Sequence, residues 1–497
     1  MTLIYFCIFF RSNTMKLNFK TLTLSLAMLV LQSNVIASVD GQPIGPNINL
    51  TNASNQNTIF ARDSNPAWLG NYQKKDGNYG AGLDLNFYLE ESQMESFIDD
   101  LEDGMDAIDN KGTDGIDNAV ATTEKMIKDI NTAFGNNKDA FLSIKASISI
   151  PIVLESSKLY GGWSIKQSTH LVGKFNALQT APGTFDGKVA LEKLVADAEA
   201  KILANAAQDL IDLTQQLGRA PSAQELKDHT TKKYMPDTED ILDEITTNAG
   251  FGLMYGKSSE LAIGYGRRVD NLLKIKLAKK QKIKAGVRLK ILKSSYNQSI
   301  IGIDEYMRAS AKGDDVGDKM KDDVKDLEED HNDTTIGIDI GGQFQTDKYQ
   351  AGAILRNLNS PSIPIHNTSN SATGFGAVAD KEIELKPQLS IDGAYYMTKN
   401  KMFVLAGSLD LNKTENLSND ESQWIKLGAS YNVPKKSAWY YSFVPDVRTS
   451  YSKNMAGSKM SLIGFGLTFG VLNLDLATGK DDDKQAYSGS LGLEFFF

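Results

Sequence analysis

The chain has 497 residues, a formal charge of −9 and a single cysteine, Cys7. The length suits several ordinary domains or one very large sheet, the acidic balance disfavours nonspecific nucleic-acid binding, and one cysteine forms no disulfide framework or CxxC pair. The slightly negative mean hydropathy is not that of a helical membrane protein.

The N-terminus reads as an export signal. From Met15, "MKLNFKTLTLSLAMLVLQSNVIA" carries Lys16 and Lys20, then an apolar run from about Leu22 to Leu31, then Val35 and Ala37 at the cleavage positions. The run is shorter than the ~20 residues a spanning helix needs. A signal peptide over 1–37 with its true start at Met15 is therefore expected. Cleavage removes Arg11, Lys16 and Lys20 but no acid, taking the formal charge from −9 to −12. It also removes Cys7 and with it any lipoprotein anchor or thiol nucleophile. The segment "TIFARDSNPAWLG", Thr58 to Gly70, follows. It is too irregular to pair as a strand, and Pro66 restrains Asn65 toward extended geometry.

From residue 78 the apolar period is two. "YGAGLDLNFYL" sets Tyr79, Leu83, Leu85 and Phe87 on one face; "LSIKASISIPIVL" sets Leu142, Ile144, Ile148, Ile150 and Ile152 against Ser143, Lys145, Ser147 and Ser149. The pattern recurs through "TTIGIDIGGQF", "IELKPQLSIDGAYY" and "WYYSFVPDVRTSY". Side chains alternate across a strand, so each stretch has an apolar and a polar face. The polar faces carry Gly, Ser, Lys and Asp, and the strands exceed the usual soluble length. Transmembrane barrel strands have this form, with aromatics near the interfaces; Tyr395, Trp439, Tyr441 and Tyr451 stand near strand ends. Fourteen strands are predicted at 78–90, 141–155, 161–176, 249–268, 282–303, 334–345, 348–358, 381–397, 401–413, 421–433, 439–454, 458–469, 471–479 and 486–497. Splitting the two longest, 249–268 and 282–303, gives sixteen. Long connections (91–140, 177–248, 304–333, 359–380) follow odd-numbered strands and short ones follow even-numbered strands, as in outer-membrane barrels, with "VDNLLKIKLAKKQ" after strand four a middling exception.

Within the long connections the period changes to that of a helix. Met94, Phe97, Ile98, Leu101, Met105 and Ile108 form one stripe, and Met126, Ile127, Ile130 and Phe134 another. "DNKGTDGID" between them has Ala121 where a calcium loop needs its glutamate, and reads as a solvated turn. In 177–248, Leu191, Leu194, Ala198, Ile202, Ala206, Leu213 and Leu217 predict a helix ended by Gly218, and Ser222 with Glu225 predicts a capping box on the next. These helices either cover the barrel mouth and bind partners or pack on each other. "GDDVGDKMKDDVKDLEEDH" predicts a short solvated helix. The last strand, "AYSGSLGLEFFF", places Leu493, Phe495 and Phe497 on one face; an alternating strand with a terminal aromatic resembles the signal read by the barrel-assembly machinery.

No constellation carries chemistry. The four histidines, His170, His229, His331 and His366, show no metal spacing. His170 falls on the inward parity of its strand, but no nucleophile motif stands beside it, so the chain is read as no enzyme and as having no cofactor. The glycines lie mostly in strands, where a small inner face lets a barrel close.

"NTIFARDSNPAWLG" resembles the Asn-Pro-Ala signature of FadL-type long-chain fatty-acid channels, and "KIKAGVRLKILKSSYNQ" through "TTIGIDIGGQFQTDKYQAGAILRNLNSPSIP" resembles the conjugal-transfer TraF family of outer-membrane proteins, with "GAILRNL" the most telling piece. The FadL resemblance implies a fourteen-stranded barrel plugged by its N-terminus and admitting hydrophobic molecules. It makes 38–77 a hatch, with Asn65, Pro66 and Ala67 as its motif, ahead of a barrel over 78–497. The expectation is thus an all-β transmembrane antiparallel barrel in a Gram-negative outer membrane. It binds or passes a small hydrophobic ligand, or displays helical loops to a conjugation apparatus or another cell.

Overall fold

The computed structural model describes residues 58–71, 78–109, 116–156, 161–180, 187–234, 248–270, 281–306, 325, 327, 331–368, 381–433, 444–481 and 484–496. The signal peptide, the turn after Asn110, most of the acidic helix, Trp439, Tyr441 and Phe497 lie outside these residues.

Eighteen strands and five α-helices are described. β1 (Asn78–Ser92) is followed by α2 (Met94–Asp109) and α3 (Ile116–Asn136); α1 (Ile59–Ser64) precedes it. Then come β2 (Phe141–Ser156), β3 (Gly161–Gln179), α4 (Gly187–Leu217), α5 (Ala223–Tyr234), β4 (Ala249–Arg268), β5 (Lys282–Gly302), β6 (Asp333–Gln345) and β7 (Tyr349–Arg356). Two short strands, β8 (Ser362–Asn367) and β9 (Lys381–Glu384), precede β10 (Gln388–Tyr396) and β11 (Phe403–Asp410). A two-residue pair, β12 (Thr414–Glu415) and β13 (Glu421–Ser422), leads to β14 (Trp424–Tyr431), β15 (Asp446–Asn454), β16 (Ser461–Phe469), β17 (Leu472–Asp481) and β18 (Lys484–Phe496).

Fourteen of these close a barrel. Going round, each strand pairs antiparallel with the next in the chain, omitting β8, β9, β12 and β13, and β18 returns to β1 with Leu83 opposite Leu493 and Leu85 opposite Leu491. β4 and β5 pair without a break from Gly250–Gly302 to Arg268–Lys284, which decides fourteen strands rather than sixteen. The predicted strand 381–397 is in fact two. Pro387 lacks the N–H a ladder needs, and the chain turns there: Ile383 and Leu385 are buried inside, whereas Leu389 and Ile391 of β10 face outward. Residues 421–422 likewise belong to the β12–β13 pair, so the predicted strand 421–433 begins at Trp424.

The two faces are inverted relative to a soluble protein. Ile463 is 66% exposed on the outer wall, while Arg448 and Asp475 are 0% exposed on the inner wall. Leu85, Ile152, Ile165, Ile263, Leu289 and Leu427 continue the outer apolar belt. Near the short-turn rim the outer face turns aromatic, with Trp163 against Tyr265 (4.9 Å), Phe403 against Tyr431 (5.0 Å) and Phe344 against Tyr349 (6.0 Å). This is a transmembrane barrel, whose apolar surface meets lipid and whose polar surface is inside.

β4 and β5, at 20 and 21 residues, are taller than a membrane. At about 3.3 Å per residue and a tilt of about 40°, such a strand rises roughly twice the ~25 Å apolar band of an outer-membrane barrel. Its outer face above that band still needs a cover, and α2 and α3 supply it. Met94, Phe97 and Ile98 with Ile127, Ile130 and Phe134 pack onto the outward-facing Leu142, Ile144, Leu171, Phe175, Phe251, Leu253 and Ile301. Phe97 meets Phe134 edge-on at 5.0 Å, and Phe175 lies 5.0 Å from Phe251. The first helical insertion therefore plates the outside of the wall. α4 and α5 form a separate hairpin: Gly218 ends α4 at φ +67°, and Ser222 and Glu225 exchange the two bonds of a capping box. Arg219 holds the Glu225 carboxyl down to about 2.

Replacing Phe97 with alanine should destabilise this outer cluster by about 3–5 kcal/mol. Limited proteolysis in detergent should then cut α2 and α3 well before the barrel. Unchanged protease resistance would show that the helices do not depend on the wall.

Candidate functional site

Residues 58–71 lie inside the short-turn end of the barrel. The sequence sets their shape locally. Asn65 forms a turn in which its Oδ1 accepts from the Ala67 N–H (3.0 Å) and its carbonyl accepts from the Trp68 N–H (2.9 Å). Pro66 then opens a 3₁₀ helix, Pro66–Asn71, where its fixed φ and missing donor cost nothing. The Asn65 Nδ2 donates to the Ala353 carbonyl on β7 (3.2 Å), tying the turn to the wall.

The wall is shaped to receive it. A Cβ on Gly286 of β5 would collide with the Pro66 carbonyl and the Ala67 nitrogen, and one on Gly341 of β6 would collide with the Asn65 side chain. These inward glycines thus do more than let the barrel close: they make the seat of the Asn-Pro-Ala turn. Opposite them, Trp68 is fully buried among Ala394, Tyr396, Val404 and Ala406 of β10 and β11. Leu69 packs with Ile59 and Val153, Phe60 lies over Gly82 and Gly492, and the Ile59 N–H donates to Glu494 Oε2 (3.0 Å). One short segment so touches β1 and β18, β5 and β6, and β10 and β11, spanning the lumen.

Above this plug the lumen carries paired charges. Asp339 accepts from Lys290 (2.8 Å) with Arg288 at 3.8 Å, Arg448 meets Asp475 at 3.2 Å, and Lys166 stands 3.7 Å from Glu260. Nearer the long loops, the β8–β9 pair folds inward. Ile363, Ile365, Ile383 and Leu385, with Leu417, pack on the inward-facing Val172, Leu292 and Tyr296. Beside them a cavity of about 900 Å³ is lined by Tyr88, Glu90, Lys145, Lys174, Asp420, Trp424 and others.

Asn65, Pro66 and Ala67 thus come together at the inner wall. Leu493 and Phe495 stand on the outer face of β18, Phe495 43% exposed. His170 is buried on the inner wall with Ser147 and Ser258 as its ladder neighbours. His331 and His366, 35 positions apart in sequence, stack at 3.7 Å, and His366 Nε2 lies 2.8 Å from Asp333 Oδ2. Among the described residues no cluster of three His, Cys, Asp or Glu side chains suits a metal ion. The lumenal ion pairs were missed in the sequence. Their signal was present as charges at one parity: Lys284, Arg288 and Lys290 on β5 share the inward face with Asp339 on β6.

A side chain at position 286 should expel the plug. In a Cys7→Ser background, Ala67→Cys should react slowly with a water-soluble maleimide, and adding Gly286→Val should raise the rate at least about tenfold, since a buried thiol must first be exposed. Equal rates would mean that the glycine seat does not hold the turn.

No curated protein matches the chain. Among solved structures it is similar to the toluene transporter TodX of P. putida, at 10% identity and a TM-score of 0.32, over 88% of this chain and 92% of that one. It is also similar to the CymD monoaromatic hydrocarbon channel, at 8% identity and a TM-score of 0.35, over 89% and 94%. A mutant Rh. blastica porin shows 9% identity and a TM-score of 0.25, over 84% and 100%. Likeness at this level adds nothing to the barrel's own geometry. A family model described as "F plasmid transfer operon, TraF, protein" matches residues 64–410, from just before the Asn-Pro-Ala turn to the end of β11. That match takes in well over half of the chain, and the protein belongs to this TraF family.

Proposed function

We propose that the protein is an outer-membrane channel of TraF type that admits a small solute when the segment 58–71 leaves its seat. One observation carries this reading: the Asn65–Ala67 turn fills a glycine-lined recess and spans the lumen. The outer apolar belt, the aromatic rim and the short turns on one side support an outer-membrane setting. Export by the signal at 1–37 and insertion by the barrel-assembly machinery, through Leu493, Phe495 and Phe497, belong to the same proposal. The cavity at the long-loop end suits a polar solute, because Glu90, Lys145, Lys174 and Asp420 line it. Liposomes carrying a form that lacks 58–71 should take up small sugars faster than liposomes carrying the full chain. Equal uptake would remove the gating role.

A second reading rests on α4. Leu203 is 81% exposed, and Leu210 and Ile211 are also open to solvent on a helix of 31 residues. Exposed apolar residues on one helix mark a contact surface, here for a conjugation apparatus or another cell. Leu203→Glu with Leu210→Glu should lower mating frequency and leave liposome uptake unchanged; unaltered mating would remove this reading.

A further inference from the structure

The mouth cavity holds an unusual arrangement. Lys145 on β2 and Lys174 on β3 both point inward, and both reach one carboxylate, that of Asp420, at 3.6 Å and 2.5 Å. Lys145 is only 5% exposed, with its Nζ 5.3 Å from the Tyr88 ring centre. Two further acids, Glu90 and Glu421, line the same cavity. The Tyr88 hydroxyl donates to Glu90 (2.7 Å), and Glu421 is paired with Lys413.

Asp420 does not belong to the wall. It sits in the connection between β11 and β14, at the tip of the β12–β13 pair. The Asn416 Oδ1 accepts from the Ser418 N–H (2.8 Å) and the Asp420 N–H (3.2 Å), and the Asn416 N–H donates to the Asp420 carbonyl (2.9 Å), so the tip is a compact unit. Leu417 of the same tip enters the inner apolar cluster. The carboxylate is therefore delivered from a connection, not from the wall, to two ammonium groups on adjacent strands.

We propose that Lys145 and Lys174 form a binding site for a small hydrophilic oxyanion, a carboxylate or a phosphate, for which Asp420 stands in when the site is empty. An arriving oxyanion accepts hydrogen bonds from both lysines, displaces Asp420, and frees the 411–423 connection from the mouth. An oxyanion that accepts from both ammonium groups takes over the charge and the hydrogen bonds that the loop carboxylate supplies. The 900 Å³ cavity beside them has room for such a solute. Binding here does not depend on passage through the barrel, so the two are tested separately.

The full chain in detergent would be titrated calorimetrically with succinate and, in a second arm, with inorganic phosphate, using putrescine as the cationic control. Asp420→Asn keeps the shape of the tip and removes the competing charge, so it should tighten oxyanion binding by about tenfold, the worth of one charge-assisted hydrogen bond. Lys174→Met, at the more accessible lysine, should abolish binding, and putrescine should not bind. The arm that binds more tightly identifies the class. In a Cys7→Ser background, Ser418→Cys should react faster with maleimide once the oxyanion is added. No oxyanion binding by the Asp420→Asn protein, or binding indifferent to Lys174→Met, would overturn the proposal. A labelling rate unmoved by a bound oxyanion would overturn the release of the loop. Liposome uptake that fails while binding persists would count against the channel reading alone.

Discussion

Everything in this fold follows from the need to satisfy backbone hydrogen bonds where no water can do so. In hydrocarbon an unpaired N–H or C=O costs several kcal/mol, and a sheet meets the requirement only by closing on itself. The pairings β4–β5 and β18–β1 complete that closure. Once the ladder is closed, side-chain parity leaves no choice. One set of residues must face lipid and the other must face a narrow interior.

That interior is crowded, and its contents obey the rule for buried charges. Lys290 and Arg288 converge on Asp339, and Arg448 meets Asp475, each side chain almost fully buried. Removing one member of such a pair is strongly destabilising, because its partner is left uncompensated. Paired charges inside a barrel also brace neighbouring strands against sliding. The plug obeys a steric rule instead. Its turn approaches β5 and β6 so closely that only glycine fits at 286 and 341, and Trp68 carries the contact across to β10 and β11. The lumen is thus occupied at the short-turn end by the N-terminal segment and at the long-loop end by the β8–β9 pair with Leu417.

The part of the wall above the membrane poses the opposite problem. Strands β2 to β5 keep their apolar parity beyond the height of lipid, so the barrel must bring its own cover. α2 and α3 provide it from the connection that follows β1. The same physical demand, burial of an apolar strand face, is met by lipid lower down and by Phe97, Ile130 and Phe134 higher up.

While the unbroken β4–β5 ladder decided fourteen strands over sixteen, the sequence by itself determined the alternation, the place of most long strands, the segregation of long and short connections, and the helices in the insertions. These are local: parity is read residue by residue, and Gly218, Ser222 and Glu225 mark helix ends within one turn. It did not separate the apolar Ile383 and Leu385 from Leu389 and Ile391, because the turn at Pro387 sends the first pair inward without changing their spacing. Nor did it show that glycines 286 and 341, distant in the chain from Asn65, form its seat, or that Asp420 reaches across to Lys145 and Lys174. Only tertiary structure decided these contacts. Closure of the barrel sets which strands stand opposite each other, and no local pattern of charge or hydropathy encodes a distance across the lumen.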